Sequence, residues 1–257
     1  MEHAVDRHDG GLATPQVRQV DTSRPIEWLK LGWSDLKRAA GPSLGYGVLI
    51  AAFGVALLIV AWRYTYLVPA LVGGFLLVAP FVAIVFYALS QQIEQGRKVD
   101  GSAAVFAWRR NFGSIALWGL ALTLALILWE RVAAIIFALF YGGEIRDLNT
   151  LAGDVLFSGR YIPLLVAYFG AGGLFALTVF VFGVVTAPML LDRNVDVVTA
   201  ALTSLKCCLT NPRATLVWAA LIAVLTAIGF ATFMLGLIVV FPLLGHASWH
   251  AYRDLVK

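Results

Sequence analysis

Few side chains in this 257-residue chain are placed to do chemistry. The first are Glu130 and Arg131, a charged pair inside an otherwise apolar run from Ser114 to Tyr141. Charge in hydrocarbon is costly, so such residues mark ion sites or polar cavities by default. Counted from Phe112, Glu130 falls ~27 Å along a helix, close to its far end. There long side chains reach the headgroups cheaply. Being adjacent, the two residues point in different directions and pair poorly. The sequence therefore reads them as a break at the outer interface, with Val132 to Tyr141 lying along the surface.

His246 and His250 are four apart and share a helix face, a spacing that can ligate zinc, copper or haem iron. No third ligand stands at metal spacing nearby, so they read as an interfacial pair flanking Trp249. A metal- or haem-binding accessory protein using His246 and His250 is the first alternative. Asp192, Asp196 and His246 would have to converge if the chain were a lipid-modifying enzyme at the cytoplasmic face, the second alternative. Cys207 and Cys208 are the only cysteines. Adjacent cysteines rarely bond to each other, and these read as small buried or interfacial residues. No Walker-type loop, G-x-S-x-G or H-E-x-x-H occurs, and no two carboxylates sit inside apolar runs to relay protons. No residue is assigned as catalytic, cofactor-binding or metal-ligating, and no cofactor is implied.

The elements that carry these residues are far more legible. The chain is 60% hydrophobic and 13% charged, with a mean hydropathy of +0.84. A soluble domain is near half apolar and a quarter charged, so lipid is the expected solvent and the expected partner. A span needs ~20 apolar residues. Spans are expected at about 44–62, 67–89, 114–133, 164–191, 214–231 and 234–250. The last two divide Ala214 to Trp249, which as one helix would reach roughly 54 Å. A tight turn between Gly229 and Gly236 resolves this. Residues 1–24 read as a disordered cytoplasmic tail, and 25–257 as the transmembrane domain. No hydrophobic leader region stands near the start, so the first span is expected to serve as an uncleaved signal anchor.

Charge tests the count. Six spans put 15 of the 19 Lys and Arg on one side, leaving Arg63, Arg146 and Arg160 in outer loops and Arg131 in the third run. The positive-inside rule then makes both termini cytoplasmic. Five spans would put Arg253 and Lys257 outside. The net charge of +4 sits in loops, which suits anionic headgroups and argues against nucleic acid.

A weak repeat runs through the chain. Ile26, Leu29, Trp33, Leu36 and Ala40 step by three and four before the first span. Val105, Trp108 and Phe112 do so before the third, and Val198, Leu202, Leu205 and Leu209 before the fifth. Gly41-Pro42 and Asn211-Pro212 stop the first and third of these helices. Prolines recur near the far end of each even-numbered span, at Pro80, Pro188 and Pro242. The fold class is thus all-α and polytopic: three transmembrane hairpins, each preceded by an amphipathic cytoplasmic-surface helix. Alanines every four residues (Ala219, Ala223, Ala227, Ala231) suggest close helix packing. Packing within the chain is the preferred reading, with a homo-oligomer or a membrane-complex partner left open.

Several segments carry a resemblance. They are Arg24-Pro25-Ile26-Glu27-Trp28-Leu29, Gly41-Pro42-Ser43-Leu44, and Leu191 to Asp196 leading into Ala200 to Ser204. The closing run from Phe241 to Leu255 is the most specific. Together they resemble the bacterial integral membrane family catalogued as domain of unknown function 2189, over roughly residues 24–256. The resemblance implies a bacterial inner-membrane home and brings no activity. The expected protein is a non-enzymatic membrane protein, a transporter-like bundle or an accessory factor of a membrane assembly.

Overall fold

The computed structural model describes residues 15–64, 68–141 and 158–257. The tail before residue 15, the link around Tyr66 and the loop carrying Arg146 lie outside the described residues.

The described chain is helical. Its one extended pairing is an isolated antiparallel bridge between Val17 and Val256. The helices are α1 (Arg24–Arg38), α2 (Ala40–Arg63), α3 (Val68–Glu94), α4 (Gly101–Val105), α5 (Phe112–Phe140), α6 (Ile162–Gly183), α7 (Thr186–Asp192), α8 (Val197–Thr210), α9 (Pro212–Ala231) and α10 (Leu237–Leu255). A 3-10 turn, Ala107–Asn111, joins α4 to α5. Among the described residues, four stretches are long and apolar enough to cross a membrane: Ala40–Arg63, Gly101–Phe140, Ile162–Asp192 and Pro212–Ala231.

Local chemistry explains the boundaries. Pro25 opens α1, Glu27 sits in its first turn, and Lys37 and Arg38 close its last, all favourable to the helix dipole. Asp100 and Asp196 accept from Ala103 N and Thr199 N and so cap α4 and α8. Pro212 starts α9, where its missing N–H costs nothing. The expected turn between Gly229 and Gly236 is present. Phe233 and Met234 take left-handed backbone angles there. The Thr232 hydroxyl donates to Gly229 O at 2.9 Å and accepts from Gly236 N at 2.7 Å. A Cβ at Gly236 would meet that hydroxyl oxygen at 2.5 Å, so the turn needs glycine.

Three expectations are corrected. The helix does not break at Glu130-Arg131, because α5 runs through both to Phe140. With apolar neighbours on either side and no Gly or Pro, nothing interrupts its backbone ladder. The fourth apolar run is instead split at Val184-Val185 into α6 and α7. The alanine stripe of α9 does not pack inside the chain, since Ala223, Ala227 and Ala231 are exposed. Of the tail read over 1–24, the part from Pro15 to Val20 runs beside the C-terminus. Arg18 N donates to Leu255 O and Lys257 N to Gln16 O, both at 2.9 Å.

The surface helices also turn a different face inward. In α1 the buried residues are Pro25, Trp28, Gly32, Asp35 and Leu36. Ile26 and Trp33, from the expected apolar face, are exposed. In α8 the buried face is Thr199, Ala200, Thr203, Ser204, Cys207 and Cys208, while Val198 and Leu209 point out. Gly32 in α1 and the small, hydrogen-bonded residues of α8 let these helices approach the bundle closely, with Trp28 and Leu36 of α1 also packed inward. Each still leaves bulky apolar side chains outward: Ile26, Leu31 and Trp33 in α1, and Val198 and Leu209 in α8.

Candidate functional site, a buried polar layer

The polar side chains gather where the long helices begin and end, and α10 is the hub. α1 crosses α10 at Gly32, where an added Cβ would stand 2.6 Å from Ala247 N. That close crossing brings Asp35 beside the last turns of α10. The His250 Nε2–H donates to Asp35 Oδ2 at 2.8 Å. Ser90, at the end of α3, donates to the same oxygen at 2.7 Å. Ser90 also meets His246 Nδ1 at 2.8 Å, and His246 Nε2 meets the Ser43 hydroxyl of α2 at 2.9 Å.

One assignment of protons satisfies the chain. Ser90 spends its only proton on Asp35, so His246 Nδ1–H donates to Ser90 and Nε2 accepts from Ser43. Ser43, His246 and Ser90 are essentially inaccessible, and Asp35 is 5% exposed. Burial alone would raise the Asp35 carboxyl. Hydrogen bonds from His250 and Ser90, with the histidines' charge interactions, outweigh it and hold the group below the usual carboxylate range.

A second set of contacts surrounds Asp192. Tyr252 Oη donates to Asp192 Oδ2 at 2.7 Å, and Gln91 Nε2 to Oδ1 at 2.8 Å. Arg253 pairs with Glu94 at 2.9 Å, and Trp249 Nε1 donates to Glu94 Oε2 at 2.9 Å. Arg193 Nε reaches Tyr252 Oη at 2.9 Å and its Nη2 reaches Lys257 O at 2.7 Å. On the other side of α10, Asp254 accepts from Arg24 at 2.7 Å and from the Trp28 indole at 2.8 Å. Asn111 donates to Leu190 O and Val195 O, and Asn211 holds Val20 N and Arg18 O. Each satisfied group avoids the penalty of an unpaired buried polar atom.

The structure sorts the residues singled out by sequence. His246 and His250 share a face and are linked through Ser90 and Asp35. Asp192 belongs to the neighbouring set, and Asp196 only caps α8, with Thr199 Oγ1 donating to it at 2.6 Å. The three residues of the enzyme alternative do not converge. Both ring nitrogens of His246 are taken by serine hydroxyls, and no cluster of three His, Cys, Asp or Glu positioned for a metal occurs among the described residues. Burial raises the Cys207 thiol to about 12 and Cys208 to about 11, which keeps both protonated. Glu130 is half-buried and faces α3 at Gly73 (an added Cβ there would lie 3.4 Å from Oε1), while Arg131 is exposed.

Sequence reasoning missed Asp35, Ser43 and Ser90. Asp35 follows Trp28 and Gly32 at helical spacing, on the face that pairs with α10. That register was the available signal. The resulting Ser43–His246–Ser90–Asp35 order has the parts of a nucleophile, a base and an orienting carboxylate, with one hydroxyl interposed. Its nucleophile is sealed, so no substrate atom can approach it in this conformation.

No curated protein and no solved structure matches the chain. Residues 67–192, from the start of α3 to the end of α7, match the family model described as "Predicted integral membrane protein (DUF2189)", a narrower stretch than the expected 24–256, and the match falls on the same integral membrane family that the sequence resembles.

Proposed function

We propose that this is a six-span, non-enzymatic protein of the bacterial inner membrane, with residues 25–257 as its transmembrane domain and both termini cytoplasmic. In this reading α2 and α3, α5 and α6, and α9 and α10 are three transmembrane hairpins. The helices α1, α4 and α8 precede them on the cytoplasmic surface. The observation that carries it is the polar layer. It joins the start of α2 (Ser43), the end of α3 (Ser90), the end of α7 (Asp192), the start of α9 (Asn211) and the end of α10 (Tyr252). Helices that cross and return must begin and end on one face, and an even number of crossings brings Val17 beside Val256. The outward apolar faces of α1 and α8 suit helices lying in the interface.

The sealed layer favours a structural role over chemistry. Serine, histidine and carboxylate are spent on one another rather than aimed at a cavity. The protein then serves as an accessory factor of a membrane assembly or a transporter-like bundle, with other membrane proteins or further copies as partners. Two measurements test this. Lys257→Cys and Lys37→Cys should react with an impermeant maleimide only from the cytoplasm, and Trp62→Cys and Phe233→Cys only from outside. Labelling of Lys257→Cys from outside overturns the six-span reading. The membrane lipid profile should be the same with overproduced wild type and with Ser43→Ala. A lipid species made by wild type and absent with Ser43→Ala overturns the non-enzymatic reading.

A further inference from the structure

Two helix pairs of the bundle meet poorly. α5 packs on α6, α9 packs on α10, and α3 packs against both α5 and α10. Between the pairs lies a cavity of about 280 Å³. Its floor is one face of α3, formed by Phe75, Ala79, Ala83 and Tyr87. That face runs ~18 Å at ~1.5 Å per residue, so the cavity is a slot along the helices. The floor is sealed, with Ala83 and Tyr87 each 7% exposed. Val179 and Phe180 of α6 and Ile222 and Thr226 of α9 are half-buried lining residues. The slot therefore opens sideways between α6 and α9.

Its walls are almost wholly apolar. Of the polar side chains on them, Ser248 donates to Leu244 O at 2.7 Å and pairs with Tyr87. Trp118 also borders the slot, and its buried indole N–H has no acceptor among the described residues. Water gains too few hydrogen bonds in such a space to stay, and an empty slot forfeits the dispersion contacts of every atom that lines it.

We infer that this slot binds a single lipid hydrocarbon chain, lying along α3 and entering between α6 and α9. A bilayer phospholipid and a membrane isoprenoid, such as a quinone tail, share that chemistry. The inference rests on the proposed reading only in that α3, α6, α9 and α10 cross the bilayer.

The test is native mass spectrometry of the protein released from nanodiscs made with total bacterial lipid extract, with the retained adduct identified by its mass. Wild type should hold one lipid per chain through a detergent wash that strips the rest. Ala83→Phe places a ring over the floor and should cut occupancy at least tenfold. Leu124→Phe, a lipid-exposed position on α5 outside the slot, should leave it unchanged. A phospholipid mass assigns the chain to the bilayer, and an isoprenoid mass assigns it to a quinone or polyprenyl carrier. Wild type released bare, or equal occupancy in Ala83→Phe, overturns the inference. Should Ala83→Phe not fold, photo-crosslinking of wild type with a diazirine fatty acid decides. Adducts on Phe180 or Ile222 support the slot, and adducts confined to exposed residues such as Leu124 and Ile127 overturn it. Cysteine labelling of Lys257→Cys reads the topology separately, so failure of one reading leaves the other standing.

Discussion

Asp35 is where burial and charge are most finely set against each other. It is nearly inaccessible, yet two hydrogen bonds keep it ionised, and it joins α1 to α3 and α10 through one oxygen. A carboxyl held below its ordinary value adds stability that is fully present above the unfolded value, about pH 3.9. That stability is lost as the pH falls through the lower folded value. The detergent-solubilised protein is therefore expected to melt at a falling temperature on acidification below about pH 4. Asp35→Asn should flatten that acid limb and lower the melting temperature at pH 7. Parallel acid limbs in wild type and variant would refute the assignment. Ser43→Ala touches only the end of the network and should cost about 1 kcal/mol, read as a small shift in melting temperature.

The helices set how closely those residues can meet. Gly32 lets α1 lie against the Ala247 backbone of α10, and a larger side chain there must push the two apart. Gly32→Val should destabilise by about 1–3 kcal/mol and expose α1 to trypsin at Lys30. Gly41→Ala, with open space around its Cβ, should not. Equal digestion of the two variants would show that the crossing is not limiting. The same helix shows why some elements were legible and others were not. Long apolar runs, Pro25, Pro212 and the Gly229–Gly236 turn announce helix starts and stops through local chemistry, which a sequence displays directly. The buried face of α1 did not announce itself. It is lined by Gly32 and Asp35, whose inward placement depends on a backbone and a histidine more than 200 residues away. Apolar periodicity picked Ile26 and Trp33 instead, because a helix whose bulky face meets lipid has the same period as one whose bulky face meets a core. Glu130 misled for a related reason, since charge alone does not stop a helix whose backbone is uninterrupted.

At the scale of the whole molecule, the last residues of the chain close the fold. Arg253 reaches Glu94 of α3, Asp254 holds Arg24 and Trp28 of α1, Val256 pairs with Val17, and Lys257 O accepts from Arg193. These contacts tie α1, α3, the residue after α7 and the stretch before α1 to one short segment. The hydrophobic surface of the long helices cannot supply that tie, because lipid satisfies an apolar face as well as another helix does. Specific polar contacts at the helix ends then decide which arrangement the bundle keeps. Deleting residues 253–257 should loosen the layer as a unit rather than fray one end. Limited trypsin digestion in mild detergent should cut the truncated protein at Arg18, Arg24 and Lys98 together, while the full chain resists at Arg24. Asn211→Ala removes the grip on Arg18 and Val20, along with a local bond to Cys207 O, and should open the Arg18 site alone. Cleavage of the truncated protein at Arg18 alone would show that the C-terminus anchors its immediate neighbour and nothing more. Simultaneous cleavage would establish the layer as the cooperative element that holds the long helices in register.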